Sequence, residues 1–359
     1  MTVLIVSRKY PPSVGGMELF AKELYESLNH QTNVILVKYG GPRLLSPLII
    51  PILWLKAAFF LLTRKIDIIH ISDGMQAPIG VLVAKVFNKK SVVVIHGLDF
   101  TWPNWLYQKL VPPAVKKSDA LLCISRAVKE QVLSSGIDKN KSFFIPLGVK
   151  DIYYLDSDKK ENRKLLGLDE NKPLLLSVGR LVKRKGLTWF IEYVFVQLVK
   201  TFPELNLLIV GDGTELQNLE MLVNKYNLSN NVIIKNNLTD KEVKYAYNAA
   251  DIFVMPNIKV QGDIEGFGLV LLEAASAKLP VVASNIEGIR DAIKQDKNGI
   301  LIESRNISEF ISEITKFLTD KKYAIKFGQN SRDYTLSNYS WDNVASNYIK
   351  IYKDLISDQ

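Results

Sequence analysis

The chain has 359 residues, 47% hydrophobic and 23% charged. That is enough for two domains of ordinary size, and the mix excludes wholesale disorder, collagen and coiled coil. The single cysteine, Cys123, excludes a disulfide framework and a cysteine zinc cluster and points to a reducing compartment; three histidines leave little material for a histidine metal site. The net charge is +9 and lies entirely in the first part. Residues 1–150 hold 19 Lys/Arg against 9 Asp/Glu, and the remainder holds 27 against 28. A basic face of this kind suits nucleic acid, anionic lipid or a phosphorylated substrate, or simply serves solubility. No charged n-region precedes an apolar h-region, so no signal peptide is expected.

Short, apolar, β-branched runs lie at 2–7, 33–39, 66–72, 91–97, 120–125 and 142–148. A second series lies at 173–179, 205–212, 232–237, 252–256, 280–284 and 299–303. Runs that are apolar throughout predict strands covered on both faces. Amphipathic stretches such as MELFAKELYESL separate them, so the pattern predicts two parallel sheets with helices on both sides, an α/β architecture of two doubly wound domains. The polar stretch 156–172 marks the break, and the domains are expected at 1–160 and 161–339. Two such domains leave a cleft, and sheets of this type bind ligands at the C-terminal ends of their strands.

The run 44–62, LLSPLIIPILWLKAAFFLL, approaches the length that spans a bilayer. Pro47 and Pro51 break its first half and Lys56 interrupts its second. It therefore reads as a soluble or membrane-surface helix, with Trp54, Phe59 and Phe60 as an interfacial patch, or as a core helix of the first sheet.

Four motifs carry chemistry. After the first strand, Gly15 and Gly16 precede a helix, a combination that permits an anion near free N–H groups or forms a plain tight turn. After the first strand of the second domain, SVGRLVKRKGL places Arg180 and Lys185 close enough to converge on one polyanion, if they are not a solvated face. In IEGFGLVLLEA, Glu265 and Glu273 enclose seven residues, and a helix from about Leu269 aims N–H groups at the cleft. Phosphate suits that helix end, Glu265 can accept from sugar hydroxyls and Glu273 can reach a ribose; the plain alternative is an exposed glutamate pair on an ordinary helix. His96, in VVVIHGLDF, follows the fourth strand at its C-terminal end and reads as functional, whereas His30 and His70 read as structural.

With these motifs in order, the chain resembles the family-4 glycosyltransferases of the GT-B fold. PPSVGGMELF, HGLDF, CISRAVKEQV, IPLGV, GRLVKRKG, EGFGLVLLEA and NGILIE all match, so the resemblance covers essentially the whole chain. YSWDNVASNYIKIY, at 339–352, resembles the family's final helix, so residues 340–359 are expected to pack back on the first domain. The resemblance implies a retaining hexosyltransferase that moves a hexose from a GDP- or UDP-linked donor to a glycan or lipid-linked acceptor in cell-envelope polysaccharide or glycolipid synthesis. By resemblance, Arg180 and Lys185 neutralise the leaving diphosphate and Glu265 holds donor-sugar hydroxyls. Gly266, Phe267, Gly268 and Leu269 offer backbone N–H groups, Glu273 holds the ribose, Gly15 and Gly16 approach the diphosphate, and His96 sits beside the transferred sugar. Base recognition falls near Asn236, Asn237 and Leu238. The leaving diphosphate assists deprotonation of the acceptor, and neither a metal nor another cofactor is expected. The turn Pro146-Leu147-Gly148-Val149-Lys150 departs from the family's usual Pro-Asn-Gly-Val-Asp.

Two other readings fit part of the sequence: a GT-B nucleotide-sugar epimerase, and a binding protein with a degraded site. The Glu265–Glu273 helix and HGLDF favour transfer over the first, and intact Arg180, Lys185, Glu265 and Glu273 argue against the second. No interleaved basic-aromatic pattern supports a nucleic-acid partner. The basic first domain predicts a cytoplasmic enzyme docked peripherally on anionic membrane.

Overall fold

The computed structural model describes residues 1–13, 15–42 and 45–357. Val14 of the glycine loop, Leu44 at the start of the apolar run, and Asp358 and Gln359 of the expected final helix lie outside them. The chain divides into two compact units, Met1–Gly148 with Trp341–Gln359, and Val149–Ser340.

In the first unit the strands are β1 (Thr2–Ser7), β2 (Asn33–Lys38), β3 (Ile68–Ile71), β4 (Lys90–Ile95), β5 (Ala120–Cys123) and β6 (Ser142–Phe144). They form one parallel sheet in the order β2-β1-β3-β4-β5-β6. In the second, β7 (Leu174–Val178), β8 (Asn206–Val210), β9 (Val232–Lys235), β10 (Ile252–Met255), β11 (Val281–Ser284) and β12 (Ile300–Ile302) form another, in the order β12-β11-β10-β7-β8-β9. Eleven of the twelve expected runs contain one of these strands whole, and β4 begins one residue before its run, at Lys90. The central strands β3 and β10 are buried throughout, and β7 along all but its last residue, as their continuous apolar runs require.

The principal helices of the first unit are α1 (Gly16–Gln31), α2 (Ser46–Thr63), α3 (Ala77–Val86), α4 (Trp105–Lys116) and α5 (Arg126–Ser134). Those of the second are α6 (187–201, with a central π turn at Ile191–Phe195), α7 (Leu216–Lys225), α8 (Asp240–Ala249), α9 (Leu269–Ser276), α10 (Ile307–Thr319) and α11 (Lys321–Asn338). The last helix, α12 (Trp341–Ser357), belongs to the first unit and lies beside α1. Trp341 packs on Phe20 of α1, and Ser346 donates to the Gln31 side chain. The Tyr352 hydroxyl bonds His70 Nδ1 at 2.7 Å. Burial, reinforced by the nearby His96, pushes the His70 pKa down to about 3, so this ring is neutral and structural.

Two expectations are corrected. Residues 149–160, assigned to the first domain from the polar stretch, belong to the second unit. Val149 N–H donates to Tyr339 O, Asp151 pairs with Arg332 at 2.6 Å, and Leu155 N–H donates to Asn248. The polar residues mark a segment bonded along the second unit's surface rather than the break itself. The apolar run also behaves differently. Its helix continues through Pro51, which is exposed, so the carbonyl that loses its partner there can face water. Trp54 is buried, against Gly80 of α3, and so is no part of an interfacial patch. Phe60 is half-buried, and Phe59 is 61% exposed. No helix among the described residues is long and apolar enough to cross a membrane.

Candidate functional site

Both sheets reverse their strand order once, and the loops at a reversal splay apart to leave room for a ligand. In the second unit the reversal lies between β7 and β10. The loop after β7 carries Gly179, Arg180 and Lys185, and the loop after β10 carries Asn257. Arg180, Lys185, Gly179 and Asn257 line one small cavity there. The structure thus brings Arg180 and Lys185 to one cavity at a switch point. Gly186 closes the β7 loop in the left-handed region at φ 66°, and a Cβ on it would lie 2.1 Å from Pro256 O. Only glycine lets the two loops meet at this distance.

The two cations differ in state. Arg180 is exposed, and among the described residues its guanidinium has no partner. Lys185 Nζ lies 2.6 Å from Glu265 Oε2. The same oxygen accepts from Asn257 at 2.9 Å, and Arg184 Nε lies 3.4 Å away. Arg184 also donates to both carboxylate oxygens of Asp263, at 3.0 and 3.1 Å. Burial works against the charge of Glu265, but Lys185 and Arg184 beside it, with hydrogen bonds from Lys185 and Asn257, hold its carboxyl below the usual range. Glu265 is therefore ionised and already engaged on one oxygen.

The segment Gly266–Gly268 runs from Glu265 into α9. It is held by Glu265 N–H donating to Glu287 at 2.6 Å and by Gly288 N–H donating to Glu265 O. A Cβ on Gly288 would lie 2.1 Å from Gly266 O, so this close approach also demands glycine. Gly268, at φ 84°, starts α9 with no side-chain cap. Leu271 N–H donates to Gly268 O, which leaves the first N–H groups of the helix for an outside acceptor. Phe267 is buried and anchors the turn.

Glu273 lies one turn along α9. Its two oxygens accept from the Tyr153 hydroxyl at 2.9 Å and the Tyr247 hydroxyl at 2.7 Å. Burial pushes its carboxyl up, against both hydrogen bonds. It retains lone pairs for further donors such as ribose hydroxyls. Asn236, Asn237 and Leu238, expected near the base, follow β9, the first two exposed.

In the first unit the reversal lies between β1 and β3. Gly15 and Gly16 follow β1, and a Cβ on Gly16 would meet no atom of the described residues within 4 Å. His96 follows β4. Its Nε2 lies 3.0 Å from Ser72 O, which fixes Nε2 as donor and leaves Nδ1 as acceptor in the neutral ring. Phe20 contacts the ring edge to face at 4.9 Å. The Asp99 carboxylate accepts from the N–H groups of His96 at 2.7 Å and Gly74 at 3.1 Å, which ties the loops after β3 and β4 together. Burial pushes the Asp99 carboxyl up, against the pull of His96 and these N–H groups.

Sequence reasoning passed over Arg184, Asn257, Glu287, Tyr153, Tyr247 and Asp99. Arg184 and Asp99 stand inside quoted motifs, so position alone pointed to them. Tyr153 and Tyr247 are 94 residues apart in sequence yet share one carboxylate, and no local pattern signals that.

Comparison with known proteins follows the same division. Residues 2–151 match the model of glycosyltransferase family 4, and residues 158–334 that of glycosyl transferases group 1. A GDP-mannose-dependent alpha-(1-6)-phosphatidylinositol monomannoside mannosyltransferase of Mycolicibacterium smegmatis is 24% identical, over 94% of this chain and 95% of its own length. A UDP-Gal:alpha-D-GlcNAc-diphosphoundecaprenol alpha-1,3-galactosyltransferase of Escherichia coli is 29% identical, over 82% and 76%. Among solved structures, a sucrose-phosphate synthase from Thermosynechococcus elongatus superposes with a TM-score of 0.78 at 20% identity, covering all of both chains. That likeness establishes the fold.

Proposed function

The chain belongs to the family-4 glycosyltransferases of the GT-B fold, and we propose that it is a retaining hexosyltransferase using a GDP- or UDP-linked donor. The acceptor in this proposal is a glycan or a lipid-linked glycan of the cell envelope. The enzyme works on the cytoplasmic side, in peripheral contact with anionic membrane. The observation that carries the donor reading is Arg180, unpaired among the described residues, beside Lys185 at the β7–β10 switch point, next to the uncapped start of α9. Two cations and a helix N-terminus suit a nucleotide diphosphate. The mannosyl- and galactosyltransferase relatives, whose names specify GDP-mannose and UDP-galactose, support a hexose donor and an acceptor on lipid.

In the proposed reaction the bond from the anomeric carbon to the diphosphate oxygen breaks, and Arg180, Lys185 and the first N–H groups of α9 take up the developing charge. These groups, rather than a metal, carry that task. The acceptor oxygen bonds to the same face of the anomeric carbon, and its proton passes to the departing phosphate oxygen. Glu265, ionised and fixed by Lys185, orients sugar hydroxyls, and Gly266, Phe267, Gly268 and Leu269 line the sugar and phosphate. Glu273 holds the ribose. Gly15 and Gly16 leave room for the diphosphate, and His96 presents Nδ1 to the sugar. Catalysis then rests on positioning and on charge stabilisation at the leaving group.

The test is donor consumption with GDP-mannose, UDP-galactose and UDP-glucose, with and without a membrane lipid extract as acceptor. One donor should be consumed only when the extract is present, with a product of unchanged anomeric configuration. Equal consumption without the extract contradicts transfer, and an inverted product contradicts retention.

A further inference from the structure

The outer surface of the first unit has a feature that the donor chemistry does not use. Helix α2 covers the core with Ile50, Leu53, Trp54, Ala57 and Leu61. Its opposite side carries Leu48, Ile52, Leu55, Phe59 and Leu62, at intervals of four and three residues, which align as one stripe. Leu48, Leu55 and Leu62 are more than 70% exposed. A helix apolar on both sides needs a second apolar medium beyond the core it covers.

The stripe is not isolated. The crossovers β2 to β3, β3 to β4 and β4 to β5 all step in one direction across the sheet, so right-handed connections put α2, α3 and α4 on one face. Helix α2 lies beside α3, and α3 beside α4. The exposed side of α3 adds Leu82 and Val86, and that of α4 adds Trp105, Leu106 and Leu110, with Trp105 76% exposed.

Charge selects the occupant. No Asp or Glu occurs between residues 27 and 66, between 74 and 98, or between 100 and 118. Those stretches contain all three helices. The exposed cations Lys56, Arg64, Lys65, Lys85, Lys109, Lys116 and Lys117 stand on or next to them. A second copy of the chain seated here would set cation against cation. An anionic bilayer meets both the apolar stripe and its basic surround.

We propose that the outer face of α2, continued over α3 and α4, is the surface by which this protein lies on an anionic lipid bilayer, with α2 parallel to the membrane plane and its apolar stripe among the acyl chains. The inference rests on the membrane contact proposed above and gives it residues. It also places the bilayer one helix from His96. Tyr107 of α4 donates to Asp99 O, and the Asp99 carboxylate accepts from His96 N–H. The head group of a lipid-linked acceptor reaches His96 along α4.

The test is cosedimentation of the full chain with phosphatidylglycerol-rich vesicles and with pure phosphatidylcholine vesicles, at low and high salt. The Leu55→Glu/Phe59→Glu double variant is measured alongside. Both side chains are exposed, so the variant should keep the wild-type melting temperature and its binding of GDP or UDP. Wild type should bind phosphatidylglycerol vesicles about tenfold or more tightly than phosphatidylcholine, losing affinity with salt, and the double variant should lose about tenfold or more of that binding. Equal vesicle binding by the folded variant overturns this face and leaves membrane contact standing. No vesicle binding by wild type overturns both, while the transferase reading is judged separately by nucleotide binding. A wild-type dimer in sedimentation velocity that the variant abolishes makes the face a contact between copies and also overturns the proposal.

Discussion

Arg180→Ala is expected to lower turnover by roughly a hundredfold or more while leaving the unfolding midpoint unchanged. The guanidinium is exposed and unpaired among the described residues, so its removal breaks no hydrogen bond or ion pair there. Its loss is felt where a diphosphate binds and leaves. Lys185→Ala should lower turnover comparably but should also destabilise the second unit. Lys185 and Glu265 side chains are 13% and 9% exposed, and removing the ammonium leaves a buried carboxylate with Arg184 and Asn257 alone. A cost of about 1–3 kcal/mol is expected for a weakened buried charge of this kind. Steady-state kinetics and denaturant unfolding on both variants check the pair. Wild-type turnover in either folded variant contradicts the diphosphate assignment for that residue.

The two glutamates should separate just as clearly. Glu265→Ala is expected to cut donor turnover by roughly a hundredfold while binding of the free nucleoside diphosphate is kept or tightened. The reason is the 2.6 Å contact to Lys185: without the carboxylate, the ammonium is released toward the diphosphate. Glu273→Ala should weaken the free nucleoside diphosphate by about tenfold or more, the scale of one hydrogen bond to a charged group. It should also leave the Tyr153 and Tyr247 hydroxyls without their acceptor and lower the melting temperature. Equal losses of nucleotide affinity in both variants would mean the sugar and ribose roles are wrongly divided.

Much of this was legible in the sequence because strands covered on both faces are continuously apolar, and each expected run finds its strand to within one residue. The site motifs were legible because each lies at the C-terminal end of a strand, where local sequence sets the loop. What lay beyond reach was tertiary. Arg184 reads like its neighbours in the run KRK, yet it is buried between Asp263 and Glu265. Trp54 and Phe59 read alike as interfacial aromatics, but a helix turns 100° per residue and puts them on different sides. The boundary was misplaced because residues 149–160 are polar yet held by Tyr339, Arg332 and Asn248, all distant in sequence.

The central claim is a nucleotide diphosphate site at the β7–β10 switch point, built on Arg180. Calorimetric titration of GDP and of UDP into the full-length wild type and into Arg180→Ala tests it most directly. One of the two nucleotides should bind the wild type at a single site and bind Arg180→Ala about tenfold or more weakly, as the loss of a charge-assisted phosphate contact requires. Failure of both nucleotides to bind the wild type, or equal affinity in the folded variant, would contradict the account.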